Sequence, residues 1–251
     1  MYSILFFRWP TNVEMQEISQ KFENEKNFPG VIGMIDGCHI PIKQPYHQGG
    51  YYYNRKDFYS VVLQGKTFLI KNHDNSVHIF FYFVAVCRED LSFTNIFVGF
   101  PGRVHDSRVL SHSPLFENGH EVCNPYHLLG DSAYPNISWI LTPFRRNQQI
   151  TDQMTRYNKV HSSIRIKIEQ AFGMLKSRNR RLKYLDQNSM SIICYTICTA
   201  CVIHNICIFQ NDLDDVQEML QVPVAYLHPN IFNQNVQAIG NVKRNNILNR
   251  F

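Results

Sequence analysis

The sequence lacks the short motifs that mark several common enzyme classes. Its 251 residues contain no P-loop, no GxGxxG phosphate motif and no nucleophile elbow of the serine hydrolases. No internal repeat is visible either. Nucleotide binding through a glycine-rich loop and hydrolysis by an activated serine are therefore not indicated.

A disulfide framework is also missing. The seven cysteines are odd in number and irregularly spaced, and four of them fall in one apolar stretch, which favours a reducing compartment, the cytosol or the nucleus. Residues 1–7 are apolar, but Arg8 and Pro10 follow without a cleavage-site pattern, so no signal peptide is predicted.

One apolar segment, residues 192–209, approaches the length of a membrane span. It carries His204 and Asn205, which are costly in hydrocarbon, so a buried amphipathic helix is predicted instead. Cys194, Cys198 and Cys201 share a face with His204, which makes a zinc site the alternative to simple core packing. Small apolar thiols at this spacing favour the core.

Charge is scarce and nearly balanced. Lys and Arg number 25 against 20 for Asp and Glu, and the net charge of +5 permits a polyanionic partner without demanding one. The hydrophobic fraction of 44% suffices for the core of one large α/β domain.

Apolar runs predict strands at 31–35, 58–63, 93–100 and 127–130, and helices at 153–183 and 190–210. Residues 1–30 are interpreted as a remnant N-terminal helical segment, 31–210 as the main domain and 211–251 as a loose, Asn-rich C-terminal tail. Strands first and helices later indicate an α/β protein with a mixed sheet covered by helices.

Carboxylates occupy suggestive places in this pattern. Asp36 and Asp131 each follow an apolar strand, Asp106 precedes a short polar segment, and Glu169 lies on a helical stripe with Arg165 one turn before it. Singly, Asp36 and Asp131 suit turn residues, Asp106 or Ser107 suits a helix N-cap, and Glu169 suits a solvated face. Together they suit Mg²⁺ or Mn²⁺, since a hard cation neutralises clustered carboxylates.

The same acids lie in sequence blocks that resemble one family, the PIF/Harbinger DDE transposases and the nucleases derived from them. In order these blocks are GMIDGCHIP at 33–41, YNRKDFYS at 53–60, GFPGRVHDSR at 99–108, LGDSAYP at 129–135, IEQAFG at 168–173 and LKSR at 175–178. The resemblance covers roughly residues 7–210.

The resemblance implies an RNase H-like fold and a divalent-metal-dependent DNA endonuclease of two-metal mechanism. Asp36, Asp131 and Glu169 match its catalytic triad, and Asp106 matches a further metal ligand. By the same resemblance, His161 and Arg165 match residues that face the DNA or the site. The positive charge of Lys176, Arg178 and Arg181 suits contacts with DNA phosphates, and a solvated helix surface is the alternative. A nuclear location follows, with the cytoplasm as the alternative, as does a Myb/SANT-like partner protein. The rival hypothesis is a domesticated, non-catalytic remnant that binds DNA or a partner.

The chain departs from the family pattern in several places. Cys38 replaces a usual Thr, and Asn179 replaces a usual aromatic, where an unpaired buried amide would cost free energy. Family members usually begin with a helical DNA-binding module, and this chain begins almost at the core. We therefore expect its own DNA binding to be weak and independent of sequence.

Residues 65–84 have no counterpart in the family pattern. Without them, residues 61–64 run directly into Ala85 and form one alternating strand. The codons of Gly65-Lys66 and Val84-Ala85 allow splice-donor and splice-acceptor sequences, and residues 79–83 suit a pyrimidine-rich tract. The segment is predicted to be an insertion or a retained intron. A loop insertion at a hairpin is the alternative, since long loops are tolerated cheaply.

Overall fold

The protein is described from a computed structural model. It covers residues 7–43, 60–63, 65–67, 70–71, 77–78, 81–101, 105–145, 149–187, 189–212 and 234–251. The predicted strand 58–63 lies partly outside this range, and the YNRKDFYS block lies outside it except for Ser60.

Six α-helices and ten strands make up this part of the chain. The helices are α1 Asn12–Lys26, α2 Asp106–Ser111, α3 Pro114–Cys123, α4 Asp152–Arg178, α5 Met190–Phe209 and α6 Gln234–Leu248. The strands are β1 Val31–Asp36, β2 Cys38–Pro41, β3 Ser60–Leu63, β4 Gly65–Thr67, β5 Ile70–Lys71, β6 Val77–His78, β7 Phe81–Cys87, β8 Phe93–Pro101, β9 His127–Leu129 and β10 Ile140–Leu141. A 3-10 turn, Arg180–Lys183, follows α4.

An eight-stranded mixed sheet organises the molecule, in the order β10-β9-β1-β7-β8-β3-β2 with β4 beside β7. β1 runs antiparallel to β7 and parallel to β9, and β9 runs parallel to β10. The first five residues of β1 are buried, as expected of a central strand covered on both faces. The fold is therefore mixed α/β with a helix-covered sheet, as the sequence pattern predicts.

Helix α1 belongs to the domain core and packs on β1 through Met15, Ile18 and Phe22. Its N-terminus carries a reciprocal capping box, in which Thr11 Oγ1 accepts from the Glu14 amide and Glu14 Oε2 accepts from the Thr11 amide. The segment predicted as an N-terminal remnant thus buries part of the sheet.

Helix α5, predicted from its apolar run, is long and apolar enough by length and composition to cross a membrane. One face of it packs on β8: His204 Nε2 lies 2.9 Å from the Leu91 carbonyl, and the Asn205 side chain bonds the Phe93 backbone. Cys194 and Cys201 are buried in the hydrophobic core. The polar residues that argue against a membrane span therefore serve to dock the helix on the sheet.

Within the predicted loose tail, residues 234–248 instead form α6 and pack on the domain, while residues 213–233 lie outside the described residues. Lys243 Nζ donates to the carbonyls of Pro125, Tyr126 and Ser138 at 2.8, 2.8 and 2.9 Å. A Cβ at Gly240 would lie 2.5 Å from the Asn136 carbonyl oxygen, so only glycine allows this approach. An Asn-rich composition hides such a helix, since its apolar anchors are few.

Candidate active site

Asp36 stands at the end of β1, where only Gly37 separates β1 from β2. Its Oδ1 accepts from the Gly37 amide at 2.9 Å, and its Oδ2 accepts from Arg165 Nη2 on α4 at 2.5 Å. The two side chains are 17% and 14% exposed. The carboxylate is therefore oriented by one backbone donor and one partly buried cation.

Arg165 also faces Glu169, one turn further along α4, with Nη2 3.8 Å from Oε1. Burial acts to lower the pKa of Arg165, but the charges of Asp36, Asp131 and Glu169 outweigh it and the pKa is raised. A single guanidinium thus lies among three predicted site carboxylates.

Asp131 follows β9, the parallel neighbour of β1, so both strands bring their acids to the same end of the sheet. Its Oδ1 accepts from the Ala133 amide at 2.8 Å. Burial, followed by the charge of Asp36, raises the pKa of Asp131 to about 6, and Arg165 opposes this rise. Asp131 therefore lies within electrostatic range of both Asp36 and Arg165.

Asp106 is the first residue of α2, while His105 takes the N-cap position that the alternative interpretation gave to Asp106 or Ser107. Burial raises the pKa of Asp106 well above its usual range, and Asp131 and Asp36 raise it further. The helix thus delivers a third aspartate to the group that Asp36 and Asp131 form at the strand ends.

Glu169 lies at the edge of this group. Its side chain is 28% exposed, and its pKa is raised by burial and by Asp36 against the opposing charge of Arg165. Among the described residues no three His, Cys, Asp or Glu side chains lie close enough together to share one ion. The donor chemistry still suits a hard divalent cation, because four carboxylates supply only oxygen ligands.

Tyr134 is a member of this region that the sequence analysis did not single out. It is buried, and its pKa is raised well above the usual range by burial and by Asp106, Asp36 and Asp131. Its place in the LGDSAYP block, three residues after Asp131, was the available signal. The phenol is therefore within electrostatic range of the three aspartates.

The predicted DNA-contacting residues are in different environments. His161 is 2% exposed, its Nε2 lies 3.1 Å from the Leu141 carbonyl, and burial lowers its pKa to about 3. The structure therefore places it in the core rather than at a surface. Arg165 belongs to the acidic group, Lys176 Nζ donates to the His39 carbonyl at 2.8 Å, and Arg178 is half-buried. Arg181 alone of the five is exposed.

The two departures from the family pattern are accommodated. Cys38 is 7% exposed and packs in the hydrophobic core. Asn179 is half-buried at the C-cap of α4, where its Nδ2 donates to the Leu175 carbonyl at 3.1 Å. Because that amide is paired, the expected cost of an unpaired Asn does not arise.

Sequence comparisons identify relatives of this chain. "Putative nuclease HARBI1" of Homo sapiens is 30% identical over 212 residues, which cover 80% of this chain and 53% of that protein. "Protein ALP1-like" of Arabidopsis thaliana is 28% identical over 227 residues, covering 82% and 50%. This chain thus spans about half the length of the curated relatives it matches.

No solved structure matches the chain significantly, so the RNase H-like assignment stays a prediction. The model of the DDE superfamily endonucleases matches residues 35–205, a range that includes all four acids and Arg165. The chain belongs to the DDE superfamily endonuclease family.

Proposed function

We propose that this protein is a divalent-metal-dependent DNA endonuclease whose site is built from Asp36, Asp106, Asp131 and Glu169. One observation carries the proposal: the guanidinium of Arg165 contacts Asp36 and faces Glu169, and the charge of Asp36 raises the pKa of both Asp106 and Asp131. Mutual repulsion makes such a group unfavourable unless a cation compensates it. Family membership makes nucleic acid the natural substrate class.

In this proposal Asp36, Asp106 and Asp131 hold Mg²⁺ or Mn²⁺, with Glu169 completing the set. Bound there, such ions would supply Lewis-acid charge at the scissile phosphate and would activate the attacking water. The chain itself orients the ligands, since the Gly37 amide holds Asp36 and the Ala133 amide holds Asp131.

Arg165 has a second task in this proposal. In the metal-free protein its guanidinium neutralises Asp36 and offsets the charge of Asp131. Once ions compensate the acids, the same guanidinium is available to hold a phosphate oxygen of the DNA. Lys176 next to β2 and the exposed Arg181 supply further positive charge along the end of α4.

DNA, the nucleus as the place of action and a Myb/SANT-like partner that supplies sequence specificity complete the proposal. We assign sequence recognition to that partner. We expect this chain alone to bind DNA through phosphates, with an affinity that falls steeply with salt.

Nicking of supercoiled plasmid tests the function. Mg²⁺ or Mn²⁺ should support nicking by the parent chain, and Asp36→Asn and Asp131→Asn should abolish it. Glu121→Gln on α3, an exposed carboxylate, is the matched control and should leave the rate unchanged. Equal nicking by the parent and Asp131→Asn proteins would sink the proposal.

The second candidate is the non-catalytic remnant that binds DNA or a partner. The ion pair of Arg165 with Asp36 favours it, because that pair partly neutralises the acids without metal. Retention of plasmid in a binding assay without nicking at any Mn²⁺ concentration identifies this case.

A further inference from the structure

The two strands β1 and β2 form one continuous course through the sheet, since only Gly37 lies between them. β1 pairs antiparallel with β7, and β2 pairs antiparallel with β3. β7 and β3 also pair antiparallel with the same strand on their other side, β8. β3 and β7 therefore occupy consecutive parts of a single strand position, between β1–β2 and β8.

The pairing with β1–β2 measures how much chain separates the two halves. Asp36 pairs with Ala85, and Cys38 pairs with Leu63. A step of two residues along β1–β2 thus corresponds to 22 residues on the partner, where an unbroken antiparallel strand needs two. The excess is 20 residues, the length of the segment 65–84.

The pairing with β8 gives an independent measure. Leu63 pairs with Val98, and Val86 pairs with Asn95, so three residues along β8 correspond to 23 on the partner. The excess is again 20 residues, and one of them is the bulge between Phe83, which pairs with Phe97, and Val86. Irregularities between Val62 and Leu63 and between Val86 and Cys87 each shift the outer pairs by one residue, as bulges do. The pairings with β1–β2 and with β8 therefore both indicate one strand into which the same length of chain is inserted.

The ends of the inserted segment lie side by side. β4, which begins at Gly65, pairs antiparallel with β7, and Gly65 is opposite Phe83. An excursion whose two ends are already neighbours can be removed without moving the strand halves that it separates. A loop added at a hairpin would instead join two different strands of the sheet.

We propose that residues 65–84 are an insertion into one strand of the sheet, and that the chain without them is the more active nuclease. The insertion interrupts this strand position opposite Gly37, since Cys38 pairs with Leu63 and the candidate catalytic Asp36 pairs with Ala85. The part concerning activity rests on the proposed function. Removing the insertion makes the strand beside Asp36 continuous, and a better-held ligand raises the rate.

Three deletions test the proposal in the full chain. A protein lacking residues 65–84 should melt several degrees above the parent and nick plasmid at least about tenfold faster with Mn²⁺. A protein that lacks residues 64–83 instead keeps the same register and should show the same gain in stability. Lacking only 65–83 shifts the register by one residue and turns each following side chain to the other face, so it should melt below the other two.

The readouts separate the two proposals. A lower melting temperature for the protein lacking 65–84 than for the parent overturns the insertion. A higher melting temperature with an unchanged nicking rate overturns the gain in activity and leaves the insertion standing. Absence of nicking by both proteins counts against the proposed function, while the melting temperatures still decide the insertion.

Discussion

At the scale of single residues, the site is governed by the balance between burial, three aspartates and one arginine. Asp131 carries a raised pKa of about 6 because the carboxylate is buried near Asp36. Such a group favours the protonated native state, so its contribution to stability falls as pH rises from about 4 to about 6 and stays low above.

We expect Asp131→Asn to remove that penalty in the metal-free protein. The variant should melt above the parent at pH 8, and the difference should shrink toward pH 4, where the parent carboxyl is protonated. Millimolar Mn²⁺ should raise the melting temperature of the parent at pH 8 and should have little effect on the variant, because the ion binds the native carboxylates. A flat response of the parent to Mn²⁺ would contradict an intact metal site.

We expect Arg165 to be required for the stability of the metal-free protein, and we expect bound metal to replace it in part. Arg165→Gln leaves Asp36, Asp131 and Glu169 without their cation, so its melting temperature at pH 8 should fall by several degrees. Mn²⁺ should recover much of this loss. Arg165→Lys retains the charge and serves as the control. The interpretation fails if Gln and Lys variants melt alike and neither responds to Mn²⁺.

At the scale of elements, α1 depends on its first turn. The pKa of Glu14 is lowered to about 2 by the hydrogen bond from Arg8 and by the Thr11 amide. A lowered carboxyl pKa contributes stability that is present above about 4.5, the ordinary value, and is lost as pH falls toward 2.

Glu14→Gln should therefore lower the free energy of unfolding by about 1 kcal/mol at pH 7, the usual value of a helix cap. The difference from the parent should diminish at pH 2–3. Urea titration at both pH values measures this effect. Glu17→Gln, exposed on the same helix, should change neither value. A pH-independent loss would assign the effect to packing instead of charge.

Helix α6 is attached through Lys243, which binds three carbonyls of the loops around β9. Burial lowers the pKa of Lys243 to about 8, so the ammonium starts to deprotonate in mild alkali. Lys243→Met should cost about 2 kcal/mol, the scale of hydrogen bonds to a charged donor. Chemical denaturation should show this loss, and hydrogen exchange should show faster opening of α6. Asn246→Ala, exposed on the same helix, is the control.

At the scale of the whole molecule, the sheet register and the gene structure make a joint prediction. Transcripts that lack the twenty codons of residues 65–84, with the reading frame kept, should be detected by long-read sequencing. The physical reason is that the protein encoded by such a transcript has an unbroken central strand. Retention of these codons in every transcript would contradict an intron origin, even if the deletion stabilises the protein.

The sequence by itself determined the main elements and the identity of the acids. One apolar run ends at Asp36 and another ends just before Asp131, and both runs predict strands that end at these acids. The helical spacing of Arg165 and Glu169 predicts that they share one face of a helix. These are local patterns, since a strand alternates every two residues and a helix repeats every 3.6. The resemblance to the family blocks then indicated that these acids belong to one site.

The tertiary structure alone decided how those residues interact. It placed His161 in the core, brought the guanidinium of Arg165 onto Asp36, and packed α6 where composition suggested a loose tail. It also showed which neighbouring strands flank the segment 65–84, through the pairings with β1–β2 and with β8. Burial, pKa and register depend on elements far apart in the chain, and no local pattern in the sequence records which distant groups become neighbours.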